Sequence, residues 1–196
     1  MSTAPNPFAS FSPPPAGPPQ LGPTDVSYVV EDTAVGRLLV AVRDDGRVVT
    51  CAYVPDDAAE ERWLGRVAGS VSPRVLRHPG ATDAARRALD SFLAGRSRSV
   101  DVTPDLVLAT PFQREVLGGL ASRVGYGRRT TYAELARAVD HVGAARAVGN
   151  ALGSNPLCVV LPCHRVLPAS GGVGGYAGGA AAKKHLLALE AAHATA

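Results

Sequence analysis

From Ser27 to Tyr53 the apolar residues come in short, β-branched-rich runs separated by turn residues, a pattern that predicts strands. Gly36–Arg43 (GRLLVAVR) reads as one strand and Arg47–Tyr53 (RVVTCAY) as the next. Asp44-Asp45-Gly46 between them is a hairpin signal, because glycine takes up the positive φ of a tight turn. The apolar spacing then lengthens to that of helices. Two are predicted, over about Asp57–Ala68 and Thr82–Ala94, and in the second Ala85, Leu89, Phe92 and Leu93 fall on one face. A short strand around Ser99–Val102 and an extended linker near Leu106–Ala109 complete this stretch. Residues 25–106 therefore read as a small α/β domain.

Residues 107–196 are patterned for helices. Thr110-Pro111-Phe112-Gln113 is a helix start, with Thr as cap, Pro in the first turn and Gln three residues after the cap. This helix should run to about Val124, where Gly125-Tyr126-Gly127 breaks it. Thr131-Tyr132-Ala133-Glu134 is a second capping box and opens a helix to about Val139. After the turn Asp140-His141-Val142-Gly143, a third helix is expected from Ala144 to about Leu152. Two short helices joined by a four-residue turn make a helix-turn-helix. The second of them (AARAVGNAL) has almost only small side chains, which let its backbone come close to a neighbour. Taken alone, packing against another helix is the simpler account of it. A final helix is predicted over about Ala180–Ala192 and bears Glu190.

Composition refines this outline. Residues 1–24 contain eight of the sixteen prolines, too little to bury against the entropy of ordering, so a disordered tail is expected. Elsewhere, 46% hydrophobic and 19% charged residues allow a packed core. No apolar run approaches the roughly eighteen residues of a membrane span, and no basic-then-apolar leader opens the chain. A cytoplasmic protein is expected. Cys51, Cys158 and Cys163 cannot pair completely and match neither a disulfide framework nor a zinc pattern, so reduced thiols are expected. Cys51 lies in a strand, where a small buried hydrophobe is its natural role. The net charge is +3, but residues 107–196 hold nine Lys/Arg against four Asp/Glu and residues 1–106 eleven against thirteen. A polyanion bound on one side suits that asymmetry, and so does an ordinary Arg-rich surface.

The segment richest in chemistry follows the third helix. An apolar run, Leu157–Leu161, ends in Pro162-Cys163-His164-Arg165-Val166, and a glycine-rich stretch from Ser170 to Gly179 comes next. Pro162 should end a strand and put Cys163 and His164 in a turn, in contact directly or through a water. Glu190 downstream could orient the imidazole. On these three residue types alone, a buried thiol beside an incidental histidine is the more economical reading.

The motif as a whole says more. Pro162-Cys163-His164-Arg165-Val166 resembles the active-site signature of the O6-alkylguanine-DNA alkyltransferases. Ala144–Gly149 (AARAVG) is similar to the start of that family's recognition helix, and Ser154-Asn155-Pro156 to its asparagine hinge. Gly174–Gly179 (GGYAGG) is similar to the loop closing its alkylguanine pocket, and Leu186–Glu190 (LLALE) to the last helix, which supplies a glutamate. Order and spacing agree over residues 111–190, and the upstream strands and the Thr82–Ala94 helix resemble the family's N-terminal domain more weakly.

The resemblance implies an α+β protein. It has a small ribonuclease-H-like α/β domain (25–106) and a mainly helical C-terminal domain (107–196) with a winged-helix-like helix-turn-helix. It further implies DNA repair by direct reversal: irreversible, single-turnover transfer of the alkyl group from O6-alkylguanine in duplex DNA to Cys163. O4-alkylthymine stays open as a second substrate. In this scheme Cys163 is the nucleophile, and His164, Glu190 and a bridging water accept its proton. Tyr132 donates to ring nitrogen N3 of the leaving guanine. Arg146 enters the base stack in place of the flipped nucleotide, while Ala144, Ala145, Ala147, Gly149 and Ala151 let the helix sit in the narrow minor groove. The pocket is assigned to Leu152, Val166, Gly174, Tyr176, Ala177 and Gly178, with base contacts through the Cys163 and Val166 carbonyls and the Ala177 amide. Some relatives have Ser at the position of Ala177, which leaves the backbone donor in place. Asn155 is a structural hinge. Some relatives also bind zinc near the N-terminus; with Cys51 alone before Cys158, no metal is expected, and no cofactor.

Ionising a thiol of pKa about 8.5 gains little more than tenfold near neutrality, so positioning and leaving-group stabilisation must supply most of the rate. A monomer acting once per molecule is expected, with cooperativity on DNA left open. Two other readings compete: a non-catalytic alkyltransferase-like lesion binder, which would lack the cysteine, and a Cys–His hydrolase, which would turn over.

Overall fold

The structure is a computed structural model, and it describes residues 25–193. The Pro-rich stretch 1–24, for which a disordered tail was expected, lies outside them. Strands β1 (Val26–Thr33), β2 (Gly36–Arg43), β3 (Val48–Tyr53) and β4 (Val75–Arg77) form one sheet in the order β3-β2-β1-β4. β1, β2 and β3 are an antiparallel meander and β4 runs parallel to β1. The Asp44-Asp45-Gly46 turn is present, with Gly46 at φ 82°. Helices α1 (Asp57–Ser70) and α2 (Pro79–Leu93) cover opposite faces of the sheet.

Burial on both faces explains the nearly unbroken apolar run of β2. Leu38, Val40 and Val42 point to the side of α2's Ala85, Leu89 and Phe92. Leu39 and Ala41 point to the side of α1's Ala59 and Val67. The α2 side continues without a break into the C-terminal half, where Val116, Leu117, Leu135, Val148, Leu157 and Leu186 share the same core.

Two expectations fail around the sheet. Ser99–Val102 is not a strand; the fourth strand is Val75–Arg77 instead. The chain meets β3 slightly later, through Val48 N–H to Thr103 O (2.9 Å) and Asp105 N–H to Val48 O (2.8 Å). Pro104 stands between these bonds and has no N–H with which to extend a ladder. β4 escaped notice because three half-exposed or exposed residues at a sheet edge have no period to detect. Leu106–Leu108, expected to be extended, is a 3₁₀ turn capped by the Asp105 carboxylate on Val107 N–H (3.0 Å).

The C-terminal half contains α3 (Pro111–Arg123), α4 (Tyr132–Ala138), α5 (Ala145–Gly153) and α6 (Gly179–His193). Both expected capping boxes form: Thr110 with Gln113, and Thr131 with Glu134. Gln113 also spans to α5, donating to Ser154 Oγ at 2.7 Å. α4 and α5 are joined through Asp140 (φ 61°) and Gly143 (φ 84°). A short parallel pair, β5 (Thr130–Thr131) and β6 (Val166–Leu167), stands beside them.

The expectation of a strand over Leu157–Leu161 is also corrected. The segment coils tightly, with Leu161 N–H bonded to Leu157 O and Val160 N–H to Cys158 O, both at 2.8 Å. The second bond closes a γ-turn around Val159, whose φ of 69° is rare for a β-branched residue. Strain of about 1–3 kcal/mol persists only where the surroundings over-determine it. Here Asn155 holds the coil from inside, donating to Leu161 O (3.2 Å) and accepting from Leu157 N–H (2.9 Å). The edge of β3 holds it from outside, where Cys51 N–H and Thr50 Oγ1 both donate to Pro156 O (2.8 Å).

Candidate active site around Cys163

Cys163 opens a 3₁₀ turn, Cys163–Arg165, directly after the strained coil, and is 5% exposed. Asn155 Nδ2 donates to its Sγ at 3.2 Å, so the hinge residue also touches the nucleophile candidate. The Cys158 thiol donates its one hydrogen to Asn155 O at 3.4 Å. The neighbouring Cys158 thiol, more than any other group, holds the Cys163 thiol below its ordinary pKa. Burial opposes this, while Asn155 and the charge of Lys183 assist. Cys158 is raised in turn by Cys163 and by burial, and burial pushes Cys51 up to about 12. Of the three thiols, Cys163 is the one poised to ionise.

His164 is fully buried and does not touch Cys163 through a direct hydrogen bond among the described residues. Its Nε2 lies 2.9 Å from Glu190 Oε1. Glu190 accepts further bonds from Arg165 Nε (3.0 Å) and Nη2 (2.8 Å) and from Gly127 N–H (3.2 Å). Burial alone would raise the Glu190 carboxyl, but the His164 and Arg165 hydrogen bonds and charges outweigh it and hold the group below its usual range. An ionised Glu190 fixes the tautomer: Nε2 bears the hydrogen and Nδ1 keeps its lone pair. Nδ1 is buried and has no hydrogen-bond partner among the described residues. Burial depresses the His164 pKa more strongly than Glu190 raises it, so the imidazole is a neutral acceptor near pH 7.

Cys163 lies in a pocket of about 230 Å³ lined also by Tyr132, Gly149, Leu152, Gly153, Gly175, Tyr176 and Ala177. Tyr132 begins α4 and is half-buried; burial first, then the Cys163 thiol, keeps its phenol protonated and able to donate. Gly149 of α5 packs against the Tyr132 ring, where an added Cβ would be 3.7 Å away. Tyr176 stands edge-on to His164, with ring centroids 6.3 Å apart.

The remaining expected residues divide. Gly174 (φ 66°) borders Tyr132 and Pro168, while Val166 is fully buried behind the pocket and Gly178 packs away from it, on Tyr53. On α5, Arg146 and Ala147 are exposed, and Ala144, Ala145 and Gly149 half-exposed. Ala151, expected on the outer face, is 5% exposed and joins the core with Val148 and Leu152. Among the described residues, no three His, Cys, Asp or Glu side chains are grouped to hold a metal ion.

Sequence reasoning passed over four residues of this site. Arg165 was read only as part of the signature, Cys158 as one of three reduced thiols, and Tyr53 as the end of a strand. Lys183 is fully buried, donating to Val166 O (2.8 Å) and Gly175 O (3.3 Å), and so ties α6 to both walls. It had a signal: Lys183 and Glu190 share the apolar stripe of Leu186 and Leu187, where charges are not placed without partners.

The chain is similar to known proteins of one family. The family profile described as "6-O-methylguanine DNA methyltransferase, DNA binding domain" matches residues 111–192. A methylated-DNA–protein-cysteine methyltransferase of Mycolicibacterium paratuberculosis is 37% identical over 171 residues, 87% of this chain and 96% of that protein. The structure of Mycobacterium tuberculosis OGT in complex with DNA matches with a TM-score of 0.71 at 32% identity, covering 85% of this chain and 94% of that one. An archaeal O6-methylguanine-DNA methyltransferase from Pyrococcus kodakaraensis matches at 0.61 and 28% identity, covering 84% and 98%. These chains share one mixed α+β fold, a small sheet part followed by a helical part. Related over nearly its whole described length, with the cysteine, histidine and glutamate assembled as above, this chain belongs to the methylated-DNA–protein-cysteine methyltransferase family.

Proposed function

We propose that this protein repairs O6-alkylguanine in duplex DNA by moving the alkyl group irreversibly onto its own Cys163. The observation that carries the reading is a buried thiol, Cys163, set in a pocket of about 230 Å³ beside an imidazole that Glu190 orients and whose Nδ1 has no partner among the described residues. The proton of Cys163 passes through a water to His164 Nδ1, the ring nitrogen that has no protein partner among the described residues. The thiolate attacks the alkyl carbon; the S–C bond forms as the C–O6 bond breaks, and the electron pair moves into guanine. Tyr132 donates toward N3 to neutralise that charge, and the proton taken from the thiol returns to the base, so protein thioether and neutral guanine remain. The product has no route back, and each molecule acts once.

The alkyl carbon is out of reach inside a duplex, so the nucleotide must leave the stack at a cost of a few kcal/mol. Exposed Arg146 takes its place, while Ala144, Ala145, Ala147 and Gly149 let α5 approach the minor groove. Tyr176, the Ala177 amide and the carbonyls of Cys163 and Val166 hold the base, and Gly174 shapes the loop. The sheet order supports a ribonuclease-H-like N-terminal domain, and the β5–β6 pair beside α4 and α5 supports a winged-helix-like C-terminal one. A monomer suffices for this chemistry.

The test is intact mass after incubation with a duplex containing one O6-methylguanine, beside a Cys163→Ala control. A single methyl adduct mapped to Cys163 and absent from the control is expected. Tight lesion binding without an adduct would identify a non-catalytic sensor, and recovery of activity with fresh substrate would identify a hydrolase.

A further inference from the structure

One wall of the pocket rests on a residue from the N-terminal sheet. Tyr53 is the last residue of β3 and is 9% exposed. Its ring stands edge-on to that of Tyr176, with centroids 5.5 Å apart and an interplanar angle of 74°, and the two hydroxyls are 3.4 Å apart. Burial raises both phenols, so this is a bond between neutral hydroxyls. The same ring also packs against Gly178. A Cβ built there would be 2.5 Å from Tyr53 Cε1, 2.8 Å from Cε2 and closer still to Cζ.

This accounts for a glycine that the loop's conformation does not. Gly174 and Gly179 have φ of 66° and 79°, which favour glycine; Gly178 is not in that region. What excludes a side chain at 178 is the Tyr53 ring. The ring cannot move aside easily, because it is buried between Tyr176 and the start of β2, where a Cβ added to Gly36 would lie 3.7 Å from it. Its strand is also tied down two residues earlier, where Cys51 N–H bonds to Pro156 O at 2.8 Å. β3 therefore holds the nucleophile's coil with its edge and the pocket loop with its last side chain.

We infer that Tyr53 is a positioning and specificity-setting residue for alkyl transfer: it fixes Tyr176 and Gly178, and so sets how far the pocket wall stands from Cys163. The inference rests on the proposed function, since it concerns the same pocket. It makes the N-terminal sheet a participant in choosing among alkyl groups.

Single-turnover rates with duplex O6-methylguanine and with free O6-benzylguanine, together with thermal midpoints and lesion-DNA affinity, would be measured for five proteins. These are the wild type, Tyr53→Phe, Tyr53→Leu, Gly178→Ala and the double variant Tyr53→Ala/Gly178→Ala. Tyr53→Phe keeps the ring and should stay within a few-fold of wild type. Tyr53→Leu should slow methyl transfer roughly tenfold or more at unchanged lesion affinity, because misplacement by about 1 Å costs rates of that order. It should also raise the benzyl-to-methyl rate ratio. Gly178→Ala should lose activity, and removing the Tyr53 ring in the double variant should restore part of it. A double variant no faster than Gly178→Ala, or an unchanged benzyl-to-methyl ratio in Tyr53→Leu, would overturn the inference. If the wild type itself gains no adduct on Cys163, the proposed function fails instead, which separates the two.

Discussion

Asn155 and Cys158 flank the Cys163 sulfur, at a position where burial alone would suppress ionisation. Asn155 Nδ2 bonds to it at 3.2 Å, and the neighbouring Cys158 thiol is the largest influence lowering its pKa. Removing that thiol should raise the pKa of Cys163. Cys158→Ala should therefore shift the rate–pH curve for alkyl transfer toward higher pH. The loss should be several-fold near pH 7 and vanish once the thiol is fully ionised, since ionisation is worth little more than about tenfold. Single-turnover rates between pH 6 and 10 would check this; a uniform loss at every pH would show that Cys158 only packs. Sequence spacing could nominate Cys163 because its signature is local. It could not nominate Cys158 as a neighbour of that sulfur, because the chain between them coils through the γ-turn at Val159 instead of running as a strand.

At the scale of elements, α5 has two faces with different work. Val148, Ala151 and Leu152 pack into the core, while Arg146 and Ala147 face outward. Arg146 makes no hydrogen bond or ion pair among the described residues. Truncating it should leave the pocket intact. Arg146→Ala is expected to slow repair of duplex O6-methylguanine about tenfold or more, because flipping costs a few kcal/mol that Arg146 no longer offsets. Reaction with free O6-benzylguanine, which needs no flipping, should be unchanged. Equal slowing on both substrates would place Arg146 in the fold rather than in DNA handling. The helices themselves were readable because capping boxes and glycine breaks act over a few residues. Where a segment's structure depended on what lay beside it, as at Ser99–Val102, Val75–Arg77 and Leu157–Leu161, the local pattern misled.

Across the whole molecule, the buried His164–Glu190–Arg165 group links α6, the Cys163 turn and the end of α3, through Arg165 Nη1 on Val124 O at 2.8 Å. Its titration bears on stability. The folded pKa of His164 is depressed, so as pH falls below about 6.5 the unfolded chain takes up a proton first and stability drops. Glu190 is held below its usual range; its contribution is complete above about pH 4.3 and is lost as pH falls through the folded value. Both act in the same direction. The thermal midpoint should fall from pH 7 toward pH 4, and His164→Gln, which keeps a donor for Glu190, should lose the part of the decline nearest pH 6. A wild-type midpoint flat between pH 7 and 5 would contradict this assignment.

The sequence by itself determined what local rules can reach: the hairpin at Asp44–Gly46, the capped starts of α3 and α4, the small-residue helix and the Cys163 signature. Each is settled by residues within a turn or two of one another, where backbone sterics and hydrogen bonding leave few choices. Tertiary structure decided the chemical state of those residues. Glu190 reaches His164 across 26 positions and Arg165 across 25, and Tyr53 reaches Tyr176 across 123. Such meetings are set by how helices and sheet close around a shared core. So burial, partner geometry and charge, which decide which thiol ionises and which ring nitrogen stays free, exist only in the folded chain.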